Sequence, residues 1–449
     1  MTATAPPSPS ARTPDLRAIV TRRRTTELGL LVLVAIVVVS AYALASLGRN
    51  ASLPANIGPF LGVILGLILV AHLVVRRWAG AADPLLLPLV ALLNGIGFVF
   101  IARLDERLAA LQATWTGVGI AAFVVTLLVV RDVRVLQRYR YTFGLIGVVL
   151  LLMPLLPVFG RNINGARIWV AFGPVSFQPG EFAKIALAIF FAGYLVERRE
   201  VLGVATFKVG PINTPDPRQF GPILAAWAVS LLVVIFERDL GSALLFFLLF
   251  VVVLWVATGR AAYLAAGGVL FGLGAVASWA FFSHVQERVS VWINPWADPQ
   301  GSGYQIIQGA YALAWGGTTG VGPGLGIVGR IPFDETDFII AIIGEELGLL
   351  GTTAVLVTFL LIAGSGLRIA RAAGATFGTL LAVGLTALIA FQAFIIMAGV
   401  TRLLPLTGVT LPFISYGGSS LVANYVLIAL LLRISDQSVR RAPDPLAAL

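Results

Sequence analysis

Apolar positions along this chain gather into long runs. Stretches of about 20 residues with almost no charge recur from residue 28 onward, and each is long enough to cross the hydrocarbon of a bilayer as a helix. Twelve can be placed: 28–48, 57–75, 84–102, 112–130, 141–159, 180–196, 220–236, 241–258, 263–282, 337–363, 376–399 and 412–432. The pattern predicts an all-α fold, a polytopic transmembrane helical bundle of about 12 spans with both termini on one side. Its least defined boundary lies between the seventh and eighth runs, where only Glu237-Arg238-Asp239 interrupts the apolar sequence.

Composition agrees. Of the 449 residues 58% are hydrophobic and 12% charged, with a mean hydropathy of +0.95; a soluble globule would carry about twice that charge. The chain has no cysteine, which excludes disulfides, thiolate metal sites and cysteine nucleophiles. Residues 1–27 are polar and Pro/Ser-rich and end near Arg22-Arg23-Arg24. The run behind them is a full span with no small-residue cleavage site, so it reads as a signal anchor.

The net charge of +10 raises the question of nucleic acid, and its placement answers it. With a cytoplasmic N-terminus, most of the 31 basic residues fall in inner segments, among them Arg76, Arg77, Arg131, Arg134, Arg368, Arg371, Arg440 and Arg441. That bias fixes orientation by the positive-inside rule. The basicity therefore serves topology and contact with anionic membrane lipids, not nucleic acid. Residues 283–336 become the longest outer segment, and acidic residues lean toward that side, which points to an outward-facing polar cavity. That segment is expected to face the extracytoplasmic side of the membrane.

Charges near hydrocarbon are functional suspects. Glu181 and Lys184, the latter one of two lysines, stand three positions apart and share a helical face. They fit an ion pair that locks two helices, or an anion-binding wall with Arg167 from the preceding loop. Asp239 fits an N-cap followed by Gly241 and Ser242; orienting Lys184 or Arg167 is a second role for it. GVGPGLG at 320–326 lacks the Lys-Ser/Thr of a phosphate loop and reads as an irregular loop dipping toward the membrane. In TDFIIAIIGEELG, at 336–348, Thr336 is a candidate helix cap, and at least one of Glu345 and Glu346 should face a cavity or a partner charge. TGVTLPFISYGGSS, at 407–420, suits a broken helix lining a water-filled space. His72 and His284 are isolated and read as polar side chains near the interfaces. No His/Asp/Glu cluster has metal-ligand spacing; no cofactor is evident, and a divalent cation is left open.

The outer segment carries NPWADPQGSGYQIIQ, residues 294–308. Asp298 there fits a turn aspartate before proline slightly better than a reactive carboxylate. Gly301 and Gly303 allow a tight bend beside it. Tyr304, Gln305 and Gln308 add an aromatic face and amides.

Taken together, NGARIW (164–169), FQPGEFAK (177–184), DLGSA (239–243), NPWADPQGSGYQIIQ, TDFIIAIIGEELG and LPFISYGGSS (411–420) resemble, in order and spacing, the SEDS family typified by RodA and FtsW. The resemblance runs from about residue 84 to 432 and covers the family's ten-span core. Residues 28–83 are then two additional helices, and 433–449 a cytoplasmic tail. Departures are Gly180 for the usual serine, Glu237-Arg238 before Asp239, Glu335 where histidine is common, and Ile168 where a second arginine is common.

The resemblance implies a peptidoglycan glycosyltransferase that joins lipid II units with inversion and with undecaprenyl pyrophosphate leaving. Such a leaving group needs no general acid, unlike glycoside hydrolysis. It needs cations to neutralise it and one carboxylate as general base. On this reading Asp298 is the catalytic base. Arg167, Glu181, Lys184, Asp239, Tyr304, Gln305, Gln308, Glu346 and Ser415 form the substrate-binding set, with Arg288 and Arg330 as weaker candidates. The implied partner is a class B penicillin-binding protein, a transpeptidase. The short termini favour the elongation branch (RodA) over the division branch (FtsW). A lipid II flippase would instead require charges at the bilayer midplane and inverted repeats; an inactive scaffold for the transpeptidase is the third reading.

Overall fold

The computed structural model describes residues 16–51, 57–157, 160–163, 166–172, 175–203, 207–209, 212–214, 221–237, 239–327, 329–374 and 376–441. Arg238, residues 164 and 165 of NGARIW, and the first 15 residues lie outside the described residues. Each of the twelve apolar runs falls on a helix. The first six are α1 (Leu16–Asn50), α2 (Ile57–Trp78), α3 (Leu86–Leu104), α4 (Glu106–Val129), the short α5 (Arg134–Arg138) and α6 (Arg140–Leu152). There follow α7 (Pro179–Gly203), α8 (Gly221–Glu237), α9 (Leu240–Thr258) and α10 (Ala261–Phe281). The long segment after α10 adds α11 (Ser283–Ile293) and α12 (Tyr304–Gly316), and α13 (Ile339–Ala372), α14 (Thr376–Val400) and α15 (Gly418–Arg441) close the chain.

Among the described residues ten helices are long and apolar enough to cross a membrane: α1 to α4, α7, α9, α10 and α13 to α15. The helix α6, of 13 residues, is shorter than the span expected at 141–159, whereas α8, of 17, matches the length expected at 220–236 and is shifted by one residue. Burial separates centre from rim. Some 89% of the apolar window of α15 is buried inside the protein, against 17% for α10. The helix α15 packs on α4, α14 on α9, α7 and α13, and α7 on α6 and α9. The lipid-facing surface keeps its leucines and valines outward, as a membrane helix must.

Helix ends depart from the apolar pattern where tertiary contacts hold polar turns. The expected start of the first span was residue 28, yet α1 begins at Leu16. Arg23 and Arg24 donate to the Ala81 and Ala82 carbonyls, and Glu27 pairs with Arg24. His72, expected as an isolated interfacial side chain, is buried with Nδ1 2.6 Å from Glu27 Oε1. At the other end, α15 starts at Gly418 and runs to Arg441. Its last turns are held by Asp436, which accepts from Arg440 and from the Ala81 backbone N–H.

Two short sheets interrupt the all-α expectation. β1 (Gly160–Ile163), β2 (Ala166–Phe172) and β3 (Val175–Phe177) form an antiparallel meander, with Arg161 opposite Trp169 and Val170 opposite Phe177. β4 (Phe207–Val209) pairs with β5 (Ile212–Thr214). Between spans the backbone must still pair its polar groups, and hairpins do so locally.

The 317–327 loop folds back onto α13, whose helix is interrupted at Gly348 (φ 65°, ψ −161°). Leu349 and Leu350 donate to the Gly317 and Thr318 carbonyls, and Val321 and Gly322 to those of Glu345 and Glu346. A Cβ at Gly348 would sit 2.4 Å from the Gly320 nitrogen, so left-handed backbone and close approach both require glycine there.

Candidate active site

Three arrangements of polar residues occupy the region that the sequence marks. One is buried at the start of α7. Glu181 and Lys184 lie one turn apart on it, and Lys184 Nζ donates to Glu181 Oε2 at 2.8 Å and to Gln392 Oε1 of α14 at 2.7 Å. Gln392 Nε2 in turn donates to the Thr410 carbonyl at 2.8 Å. All three side chains are buried, and a charged pair this secluded is held only because its remaining donors and acceptors are satisfied. The ion-pair reading is therefore correct as geometry. The sequence missed Gln392, although a lone amide within an apolar run is a signal of the same kind.

Around this centre, residues 401–417 run without a helix between α14 and α15. The twelfth span was expected to begin at 412; irregular backbone takes its first turn, as the broken-helix reading requires. Asp239 caps α9, accepting from the Ser242 backbone N–H at 3.0 Å and its hydroxyl at 2.6 Å. Arg288 of α11 donates to the Leu406 carbonyl at 2.7 Å. Ser415, expected to bind substrate, instead donates to the Thr336 carbonyl and accepts from the Leu411 N–H. The first bond fastens the 401–417 segment to the loop before α13, and the second closes a turn within the segment itself. Thr336 does not cap α13: Phe338 is the N-cap, and Thr336 donates to the Phe333 carbonyl. Burial pushes Asp337 up to about 6, with Glu335 and Asp239 adding to the rise and Arg288 opposing it. Asp334 likewise rises to about 6 through burial and its hydrogen bond with Glu335.

A second arrangement is the Asp298 turn. Pro295–Ala297 form a 3-10 turn capped by Asn294, and Asp298 follows, exposed to solvent. Its carboxylate accepts from the backbone N–H of Ser302 (2.9 Å) and of Gly301 (3.1 Å) and from the Ser302 hydroxyl (3.2 Å). The Ser302 N–H first, then its hydroxyl and the Gly301 N–H, hold this carboxyl below the usual range, so it stands ionised. A Cβ on Gly301 would lie 2.2 Å from Asp298 Oδ2: glycine is needed because the carboxylate occupies that space. The turn is tied to the core through α11, where Trp292 Nε1 donates to the Arg402 carbonyl and Arg402 donates back to that of Trp292.

The third arrangement is Glu346. It is buried in α13, ion-paired with Arg103 of α3, and accepts from the Gly324 N–H at 2.7 Å. Its geometry is that of a fastener between α3, α13 and the 317–327 loop, and no contact joins it to Lys184. Of the remaining sequence-predicted residues, Arg167 is exposed on β2. Gln305 Nε2 donates to the Pro332 carbonyl, and Gln308 accepts from Arg330; Tyr304 is half-buried. Direct contact thus unites Glu181 with Lys184, and Asp298 bonds within its own turn. Among the described residues, no group of three His, Cys, Asp or Glu side chains is gathered to hold a metal ion.

Fold and site together define a multi-pass membrane protein with buried ionic fasteners, an unwound segment between its last two helices and an exposed carboxylate turn. The chain belongs to the FtsW/RodA/SpoVE cell cycle protein family, whose model matches residues 84–440. It is 44% identical over 444 residues to a peptidoglycan glycosyltransferase RodA of Mycobacterium tuberculosis (strain ATCC 25618 / H37Rv), covering 96% of this chain and 94% of that one. It is 33% identical over 369 residues to the stage V sporulation protein E of Bacillus subtilis (strain 168), covering 79% and 97%. Among solved structures, it matches one described as structural coordination of polymerization and crosslinking by a peptidoglycan synthase complex, at 27% identity and a TM-score of 0.66 over 80% of this chain and 98% of that one. The crystal structure of the Thermus thermophilus rod shape determining protein RodA matches at 26% identity and a TM-score of 0.56, over 79% and 97%.

Proposed function

We propose that the chain polymerises peptidoglycan glycan strands from lipid II at the outer leaflet, as the RodA-type enzyme of cell elongation. The observation that carries this reading is Asp298: a carboxylate exposed on the outer segment, held ionised by the N–H groups of its own turn. The 4-hydroxyl of an acceptor sugar gives its proton to Asp298 as it attacks the anomeric carbon of the donor. The sugar–pyrophosphate bond breaks in the same displacement, with inversion, and the pyrophosphate departs as an anion that needs no acid.

Arg167, open to solvent on β2, offsets that charge in this reading. Lys184, bound to Glu181 and Gln392, acts as a support that keeps α7 and α14 in register. Tyr304, Gln305 and Gln308 receive the sugar. The 44% identity to proteins named as RodA over nearly the whole chain supports the elongation role. The likeness to a synthase complex that couples polymerisation with crosslinking supports a class B penicillin-binding protein as partner. EDTA treatment, with Mg²⁺ add-back, tests whether a divalent cation accompanies the pyrophosphate.

The decisive experiment incubates purified protein, with its transpeptidase, with labelled lipid II. Wild type should build strands and Asp298→Ala should not. Polymerisation by the Ala variant sinks the assignment, and loss of lipid II translocation in that variant, with polymerisation intact, would point to a flippase.

A further inference from the structure

Helix α12 carries more than the amides assigned above. Tyr304, Gln308, Tyr311 and Trp315 are spaced four, three and four apart and form one stripe along it, about 16 Å long at 1.5 Å per residue. The C-terminal part of this stripe is aromatic and open, with Trp315 57% and Tyr311 39% exposed; Trp296, off the helix and two residues before Asp298, is 54% exposed. Trp296 and Tyr311 meet edge to face with centroids 6.0 Å apart. The Arg330 guanidinium lies 5.5 Å from the Tyr311 ring and 4.6 Å from that of Trp315, within cation–π range. Its Nε is fixed by Gln308, while its Nη1, buried between the rings, has no hydrogen-bond partner among the described residues.

We infer that Trp296, Tyr311, Trp315 and Arg330 form a binding track for the glycan strand, continuous with the Asp298 turn. This rests on the glycosyltransferase reading above. Aromatic faces suit the C–H faces of pyranose rings, and the stripe is long enough for several of them. Arg330 supplies the charge complement to carboxylates on the stem peptides. An anchoring role in the membrane interface would use the same rings. It would not explain a guanidinium fixed between them by Gln308, or the exposed, ionised carboxylate beside Trp296. The track holds the strand between additions, so it governs strand length more than single-bond formation.

The test measures binding of a soluble GlcNAc–MurNAc oligosaccharide bearing stem peptides to the full chain in nanodiscs, with strand length on lipid II as a second readout. The double variant Tyr311→Ala/Trp315→Ala should bind on the order of tenfold more weakly and make shorter strands. Tyr311→Phe/Trp315→Phe should restore both. Trp315→Leu, which keeps an apolar anchor without a stacking face, should not. Arg330→Leu should weaken binding of the peptide-bearing oligosaccharide more than that of the peptide-free one.

Rescue of binding by leucine overturns the track in favour of membrane anchoring. Wild-type oligosaccharide binding by the double Ala variant overturns it as well. If that variant instead loses co-purification with the transpeptidase, the rings are a protein interface. Failure of the underlying reading looks different: Asp298→Ala would still polymerise lipid II, whatever the oligosaccharide does.

Discussion

Asp298 and Glu346 are both carboxylates in polar motifs beside apolar runs, and from the sequence both are site candidates. Their surroundings are opposite. Glu346 is 1% exposed and spends its charge on Arg103 and the Gly324 N–H. Asp298 is exposed, and among the described residues its carboxylate bonds to the N–H groups and hydroxyl of its own turn. A buried carboxylate with a dedicated cation is committed to the fold, because removing either partner strands a charge. An exposed, ionised carboxylate has free lone pairs and a low cost of approach, which a base needs. Motif membership marks both residues; burial and partners assign them different work.

The sharpest way to break this comparison is to exchange outcomes between activity and stability. Asp298→Ala should lower lipid II polymerisation by about 10²–10⁴-fold, the range for loss of a general base, with thermal unfolding in detergent close to wild type. Glu346→Ala should do the reverse. It leaves Arg103 buried and unpaired, at a cost of about 3–5 kcal/mol. The measurement is unfolding temperature and the yield of monodisperse protein. Should Asp298→Ala unfold early while Glu346→Ala stays stable but inactive, the two roles have been assigned the wrong way round.

Gly301→Ala tests the same contrast more finely. The added Cβ would stand 2.2 Å from Asp298 Oδ2, so the carboxylate must move while little else does. Misplacement of about 1 Å can cost as much as 10²-fold in rate. The expected result is a loss on the order of tenfold to a hundredfold in kcat with unchanged stability. Full activity would mean that Asp298 binds loosely and its position is not critical.

What could be read in advance follows from the range of the forces involved. Apolar runs were legible because hydrocarbon demands them of every spanning helix, and all twelve fall on helices. Helix ends were not, because Arg24 finds the Ala82 carbonyl 58 positions away and Asp436 finds the Ala81 N–H 355 away. Glu181 and Lys184 were legible as neighbours at three residues' separation, whereas Gln392, 208 positions from Lys184, gave no local sign of joining them. The Asp298 turn is wholly local, which is why Asp-Pro-Gln-Gly announced it. Glu346 was legible as a carboxylate that needs a partner charge, but the partner itself was not: Arg103 belongs to another helix, and a sequence carries no distance between them.

The smallest effect concerns a third kind of carboxylate, half-buried Asp337, which lies between these extremes. Burial raises it to about 6 from an ordinary 3.8, and Glu335 and Asp239 push in the same direction against Arg288. A raised carboxyl means that the folded state holds its proton more tightly than the unfolded chain does. Its contribution to stability is therefore fully present below the unfolded value and is lost as pH rises through about 6. Asp337→Asn, which cannot ionise, should be more stable than wild type at pH 8, and that advantage should fade as pH falls toward 4. Unfolding temperatures across pH 4 to 8 provide the check, with Asp334, raised in the same way, common to both proteins. If Asp337→Asn is less stable than wild type at pH 8, the attraction of Arg288 outweighs burial. Asp337 would then join Glu346 as a fastening charge.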